Sequence, residues 1–192
     1  MTPTEWAQEM HKRADALKKM AANMPRYIGI KAVNFYKENY HAGGYRDNGF
    51  HAWQMTKRQL AGGKAAASKY GPLFSSRNRL FSSINYRPQV TSVVIYTDVP
   101  YAAIHNEGGT VTVPLTGKMR KWAWAMYYKN GGSKKGKVPS PVADPYKWLA
   151  LSHKSAISIK IPKRPFVYDS PEVRNMVKEL MIEQGKKALG IN

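Results

Sequence analysis

The sequence predicts an α+β fold, a small and mostly antiparallel sheet with long N-terminal and C-terminal helices packed on it, plus a basic, aromatic-containing insertion. Three observations carry that expectation. Capped stretches with apolar residues at helical spacing occupy both ends of the chain, four β-branched or alternating runs lie between them, and residues 118–146 mix tryptophan, tyrosine, lysine, glycine and proline in a pattern unlike either. The 192 residues suffice for one sizeable core and show no break in composition. A single domain over 1–192 is expected, with 118–146 as an insertion or extended loop.

Thr2-Pro3-Thr4-Glu5 spells a capping box with proline at the first helical position, and Trp6, Met10, Leu17, Ala21 and Met24 follow on roughly one face. Pro25 is expected to interrupt this helix, which resumes through Tyr27, Ile28, Ala32, Phe35 and Tyr36 and stops near Tyr40, before Gly43-Gly44. Residues 43–49 then read as a loop. Trp53 to Tyr70 reads as irregular structure with a short helix. Leu73 to Ile84 can turn as a helix with Leu80, Phe81 and Ile84 inward, leading into a strand pair at 85–89 and 92–98. Thr110 to Leu115 and Ala156 to Ile161 are the third and fourth strands. Lys118 to Tyr128 fits both helical and strand periodicity and is assigned to helix, whereas 129–146 reads as a mobile basic loop. Ser170-Pro171-Glu172 caps a last helix with Val173, Met176, Val177, Leu180 and Met181 spaced i, i+3, i+4, i+7, i+8, ending near Gly190.

The formal charge is +19, and it is concentrated. Residues 48–168 hold 19 basic residues against three acids, Asp98, Glu107 and Asp144, while the two ends together are near balance. A field of that sign favours a polyanion, whether nucleic acid, an acidic protein or an anionic surface, without choosing among them. With no cysteine the chain has no disulfide framework and no thiolate zinc site. No signal-peptide pattern opens the chain and no run of about 18 uncharged apolar residues occurs, so neither secretion by a signal peptide nor a membrane span is expected.

Catalytic signals are weak. His105 lies two residues from Glu107, but the other histidines bring no ligand spacing, and His105 is expected to hydrogen-bond backbone at a structural corner, with Glu107 a surface or intersubunit charge. Gly131 to Val138 resembles a phosphate-binding loop yet offers no hydroxyl at Val138, and Pro139 and Pro141 block the helix such a loop needs. No cofactor and no metal are expected. Lys129, Lys134, Lys135 and Lys137 are candidates for sequence-independent contact with DNA backbone. Trp122, Trp124, Tyr127 and Tyr128 fit core packing or an interface anchor; because the remaining elements carry enough apolar periodicity to close a core, they are assigned to an assembly surface. In Pro162-Lys163-Arg164-Pro165-Phe166 the prolines fix an extended exit, Phe166 is expected in the core, and Arg164 beside a carboxylate.

The chain resembles the bacteriophage virion-morphogenesis and tail-completion proteins. The resemblance rests on Tyr101-Ala-Ala-Ile-His-Asn-Glu-Gly-Gly109, where small Ala102 and Ala103 allow close backbone approach, and on Ile161-Pro-Lys-Arg-Pro-Phe166. It departs from the usual pattern at Asn106-Glu107, where an aromatic is more typical, and in the long 118–146 stretch. It implies a structural virion protein of the head–tail junction rather than an enzyme, assembled in the bacterial host cytoplasm. The implied partners are itself, in a ring of sixfold symmetry or a multiple, and other neck, portal-adaptor or tail proteins; the basic charge adds non-specific contact with genomic DNA as an expectation, and the lack of a long apolar run leaves no membrane partner expected. Tyr101, His105, Glu107 and Arg164 join the aromatic cluster as expected assembly residues. The alternative is a sequence-independent DNA-binding protein acting through the basic middle.

Overall fold

A computed structural model describes residues 1–60, 70–133 and 141–191. The chain is α+β and forms two compact units, one built from 1–108 with the stretch from Pro162 onward, the other from 109–161. The 118–146 segment lies inside the second.

The first unit is organised by α1, Pro3–Ala42. Thr2 accepts from the Glu5 amide while Glu5 reaches back to the Thr2 amide at 2.7 Å, closing the expected capping box, and Gly43 ends the helix in the left-handed conformation. Pro25 does not interrupt α1. The helix runs through it, losing one backbone donor, because both flanks are held by packing: Met24, Pro25, Gly29, Ala32, Val33 and Tyr36 are all buried. The 43–49 stretch is likewise more ordered than a loop: β1 (Gly44–Arg46) and β2 (Phe50–Ala52) form an antiparallel hairpin, turned by Asn48 and Gly49 at positive φ.

After α2 (Lys57–Leu60), the expected Leu73–Ile84 helix contracts to α3 (Arg79–Ser83), because Leu73 and Asn78 take left-handed backbone. Leu80 and Ile84 are buried and Phe81 packs on the core, as expected. β3 (Asn85–Pro88) and β4 (Val93–Tyr96) pair as the predicted hairpin, and α4 (Ala102–Glu107) follows. α7 (Pro171–Leu189), capped by Ser170 and stopped by Gly190, packs along α1; its label counts α5 and α6, Gly117–Lys129 and Asp144–Leu151, in the second unit. Instead of one small sheet, the strands make three separate two-stranded antiparallel ladders.

The core of the first unit centres on Tyr40, whose ring meets Trp53, Phe74, Phe81 and Phe166 edge-on at centroid distances of 5.2–5.8 Å. Burial pushes its hydroxyl pKa well above the usual range. A polar network beside it locks the approach to α7: Asn39 donates to the Tyr168 hydroxyl and accepts from Arg46, while that hydroxyl takes the Arg46 amide at 2.7 Å. Tyr36 donates to the Tyr168 carbonyl, and burial raises its pKa to about 12.

In the second unit β5 (Gly109–Pro114) and β6 (Ala156–Ile161) pair over their full length, Gly109 opposite Ile161 and Pro114 opposite Ala156. Register puts Val111, Val113, Ile157 and Ile159 on one face of this ribbon and Thr110, Thr112, Ser158 and Lys160 on the other. α5 and α6 pack on each other between the two strands. Segment 118–128 is thus helical, as assigned, and the end of the expected 129–146 loop belongs to α6; residues 134–140 lie outside the described residues.

Candidate functional site

Val99 is buried where β4 turns into α4, and its amide is held by the Thr97 hydroxyl, which in turn meets Ser83 at 2.6 Å. The turn delivers Tyr101 to Glu107 onto the Pro162–Phe166 segment. The His105 carbonyl accepts from the Arg164 amide at 3.0 Å, and Asn106 Oδ1 accepts from the amides of both Phe166 and Val167, at 2.9 and 3.1 Å. Trp53 Nε1 donates to the Pro165 carbonyl, and Phe166 is fully buried, as expected. The two stretches singled out in the sequence are therefore one joint. Asn106 is its pin, and only the departure from an aromatic at this position marked it in the sequence.

Several residues sit differently from expectation. Ala102 is buried but Ala103 faces solvent, so only the former permits close approach. His105 Nδ1 is buried with no hydrogen-bond partner among the described residues, where a backbone bond was expected. Burial and then the Arg164 charge lower its pKa. Arg164 is only 5% exposed and finds no carboxylate. Its Nε and Nη2 both donate to the Gln54 carbonyl, at 3.1 and 2.8 Å, while Glu107 at the end of α4 turns outward to Lys163 at 3.7 Å and Asp169, the acid nearest in sequence, pairs with Arg174. Burial alone lowers the guanidinium pKa, which stays charged at any ordinary pH. Around these groups lies a cavity of about 240 Å³, lined by Arg164, His105, Tyr101, Thr56, Ser75, Leu73, Phe74 and Leu80.

The helical pair of the second unit divides the aromatic cluster. Tyr127 is 3% exposed, donates its hydroxyl to the Ser133 carbonyl and lies against Gly132, where any Cβ would meet its ring at 2.5 Å. It is core, because it follows the fully buried Ala123 by one helical turn, and it leaves the expected assembly surface. Trp124 is half-buried, stacked on Tyr128 at 5.9 Å. Trp122 is 53% exposed, and Trp148 on α6, which the sequence reading passed over in a run of mixed residues, is 73% exposed. Tyr128 and Lys129 are exposed as well. Arg120 is not a free cation: it reaches the carbonyls of Ser152 and Lys154, tying α5 to the end of α6. Lys134, Lys135 and Lys137 lie outside the described residues.

The joint between the YAAIH corner and the Pro-Lys-Arg-Pro-Phe segment holds the first unit together, and a family model that spans both, the phage virion morphogenesis family, matches residues 4–184. The chain belongs to that family. No curated protein and no solved structure matches it. Membership in the phage virion morphogenesis family points to a structural, assembly role in the virion rather than a catalytic one. Among the described residues no cluster of three or more histidine, aspartate or glutamate side chains could hold a metal ion, and no helix is long and apolar enough to cross a membrane.

Proposed function

We propose that this member of the phage virion morphogenesis family is a structural protein of the head–tail junction, which completes or caps the tail and joins it to the head. The family match over nearly the whole chain carries this reading. Two features support assembly with neighbours. The β5–β6 ribbon has one apolar face that stays half-exposed, with Ile159 41% accessible, and a two-stranded ribbon is marginal by itself. The helical pair adds Trp122, Tyr128 and Trp148 at its surface, aromatic anchors of the kind found at interface centres. The expected assembly is a ring of the same chain, sixfold or a multiple, contacting neck, portal-adaptor or tail proteins in the virion.

Imaging of purified particles with this chain tagged tests the reading. Density for the tag at the head–tail junction, with unjoined heads and tails in its absence, is the expected result; a tag along the tail shaft or on the capsid face overturns it. A second reading, sequence-independent DNA contact, is favoured by ten basic residues against one acid within 109–161. It requires DNA retention that falls steeply with salt and ignores sequence.

A further inference from the structure

Arg164 brings a permanent positive charge into a nearly closed environment. Twelve acids in the chain are all among the described residues, and none pairs with it; segments 61–69 and 134–140 contain no acid at all. Among the described residues its side chain has one acceptor, the neutral Gln54 carbonyl, taken on the Nε edge. A second polar side chain, His105, lines the same cavity of about 240 Å³, and its buried Nδ1 has no hydrogen-bond partner among the described residues. The guanidinium therefore lines this cavity with N–H donors beyond those given to Gln54, beside that second polar side chain.

We propose that this cavity is a socket for the carboxylate of an acidic side chain on another virion protein. The proposal rests on the assembly reading above. One guanidinium carries one positive charge, which a monoanionic carboxylate neutralises, whereas a phosphate dianion leaves charge uncompensated among Leu73, Phe74 and Leu80. A planar carboxylate matches the guanidinium fork on the Nη edge that Gln54 leaves open. The apolar wall suits the methylenes of the incoming side chain. The occupant is an acidic neighbouring protein, which a chain of net charge +19 attracts, while contacts between copies fall to the exposed aromatics and the apolar ribbon face.

The test uses the full-length isotope-labelled protein and N-acetylglutamate N-methylamide, which offers a side-chain carboxylate without terminal charges. Its addition is expected to give a saturable NMR shift of Arg164 Nε and the His105 ring. The glutamine analogue should give none, and inorganic phosphate a weaker one. Ser75 is exposed at the cavity mouth, and Ser75→Trp fills that mouth while leaving Arg164 and His105 in place. It should weaken the probe by about tenfold or more, as loss of a charge-assisted pair would, with the melting temperature unchanged. No saturable shift, equal shifts from the glutamine analogue, or tighter phosphate binding overturns the socket. In phage, Ser75→Trp should block particle completion. Normal particles would overturn the partner role while leaving the junction reading standing. Loss of self-association by Ser75→Trp would reassign the socket to a second copy and overturn the proposed occupant, and a misplaced tag with intact probe binding would instead overturn the junction reading.

Discussion

Replacing Gly29 with alanine should destabilise the first unit, although alanine is the better helix former. A Cβ at Gly29 falls 2.2 Å from Cδ2 and 2.6 Å from Cγ of Tyr86, whose ring packs on α1 at that position. Carbon atoms settle at about 3.5–4.0 Å, so ring or helix must retreat by more than about 1 Å. Retreat is difficult, since Tyr86 is fixed by the β3–β4 ladder opposite Ile95 and packs against the core. Overpacking of this kind costs about 1–3 kcal/mol, and the size of the overlap puts it at the upper end, about 3 kcal/mol. Helix propensity returns about 1 kcal/mol. The net loss is about 2 kcal/mol, or about 4–8 °C in a chain of this size. Urea denaturation of Gly29→Ala, Tyr86→Ala and the double variant measures it. With the Tyr86 ring removed, the same substitution should become stabilising by about 1 kcal/mol. A neutral Gly29→Ala in the parent, or an equal cost in both backgrounds, would refute the close approach.

Three further outcomes are expected. Because burial lowers the His105 pKa, the native ring stays neutral while the unfolded chain takes up a proton below about pH 6.5. Its contribution to stability is therefore present above that pH and lost as pH falls; His105→Gln should flatten the acid limb of the stability–pH curve, and an unchanged limb would show the ring to be ordinary. Asn106→Ala strands the Phe166 and Val167 amides and should cost about 1–3 kcal/mol in chemical denaturation, whereas Asn106→Asp, which keeps the acceptor, should cost less. Trp122→Ser with Trp148→Ser removes exposed aromatics and should leave melting within a few degrees while reducing oligomer size by light scattering; Tyr127→Ala, from the core of the same unit, should cost about 3–5 kcal/mol.

Local chemistry made much of this fold legible. The Thr2–Glu5 box, the Ser170 cap and the left-handed glycines at 43 and 190 act within one helical turn, so the ends of α1 and α7 follow from a few residues. β5 and β6 follow from alternation. Pro25 reads as a break because its cost is local, whereas the residues of α1 that outweigh it, Met24, Gly29, Ala32, Val33 and Tyr36, are buried by elements far away in sequence. The β1–β2 hairpin was missed although Asn48-Gly49 is a turn signal, since Gly44, Tyr45 and Arg46 carry no strand-like alternation. The candidate site divides the same way. Phe166 as core and the helix at 117–129 were readable, but whether Arg164 meets an acid, which of Ala102 and Ala103 is covered, and that Tyr127 is inside while Trp122 and Trp148 are outside depend on positions set by residues far away in sequence.

The second unit leaves the chain and returns to it across a single rung, Gly109 opposite Ile161. Tension applied to α5 and α6 along the ribbon therefore runs down two covalent backbones at once, each about 20 Å long over six residues. The hydrogen bonds between β5 and β6 keep the two backbones side by side without carrying that load. A strap of this kind resists stretching as strongly as the peptide chain itself.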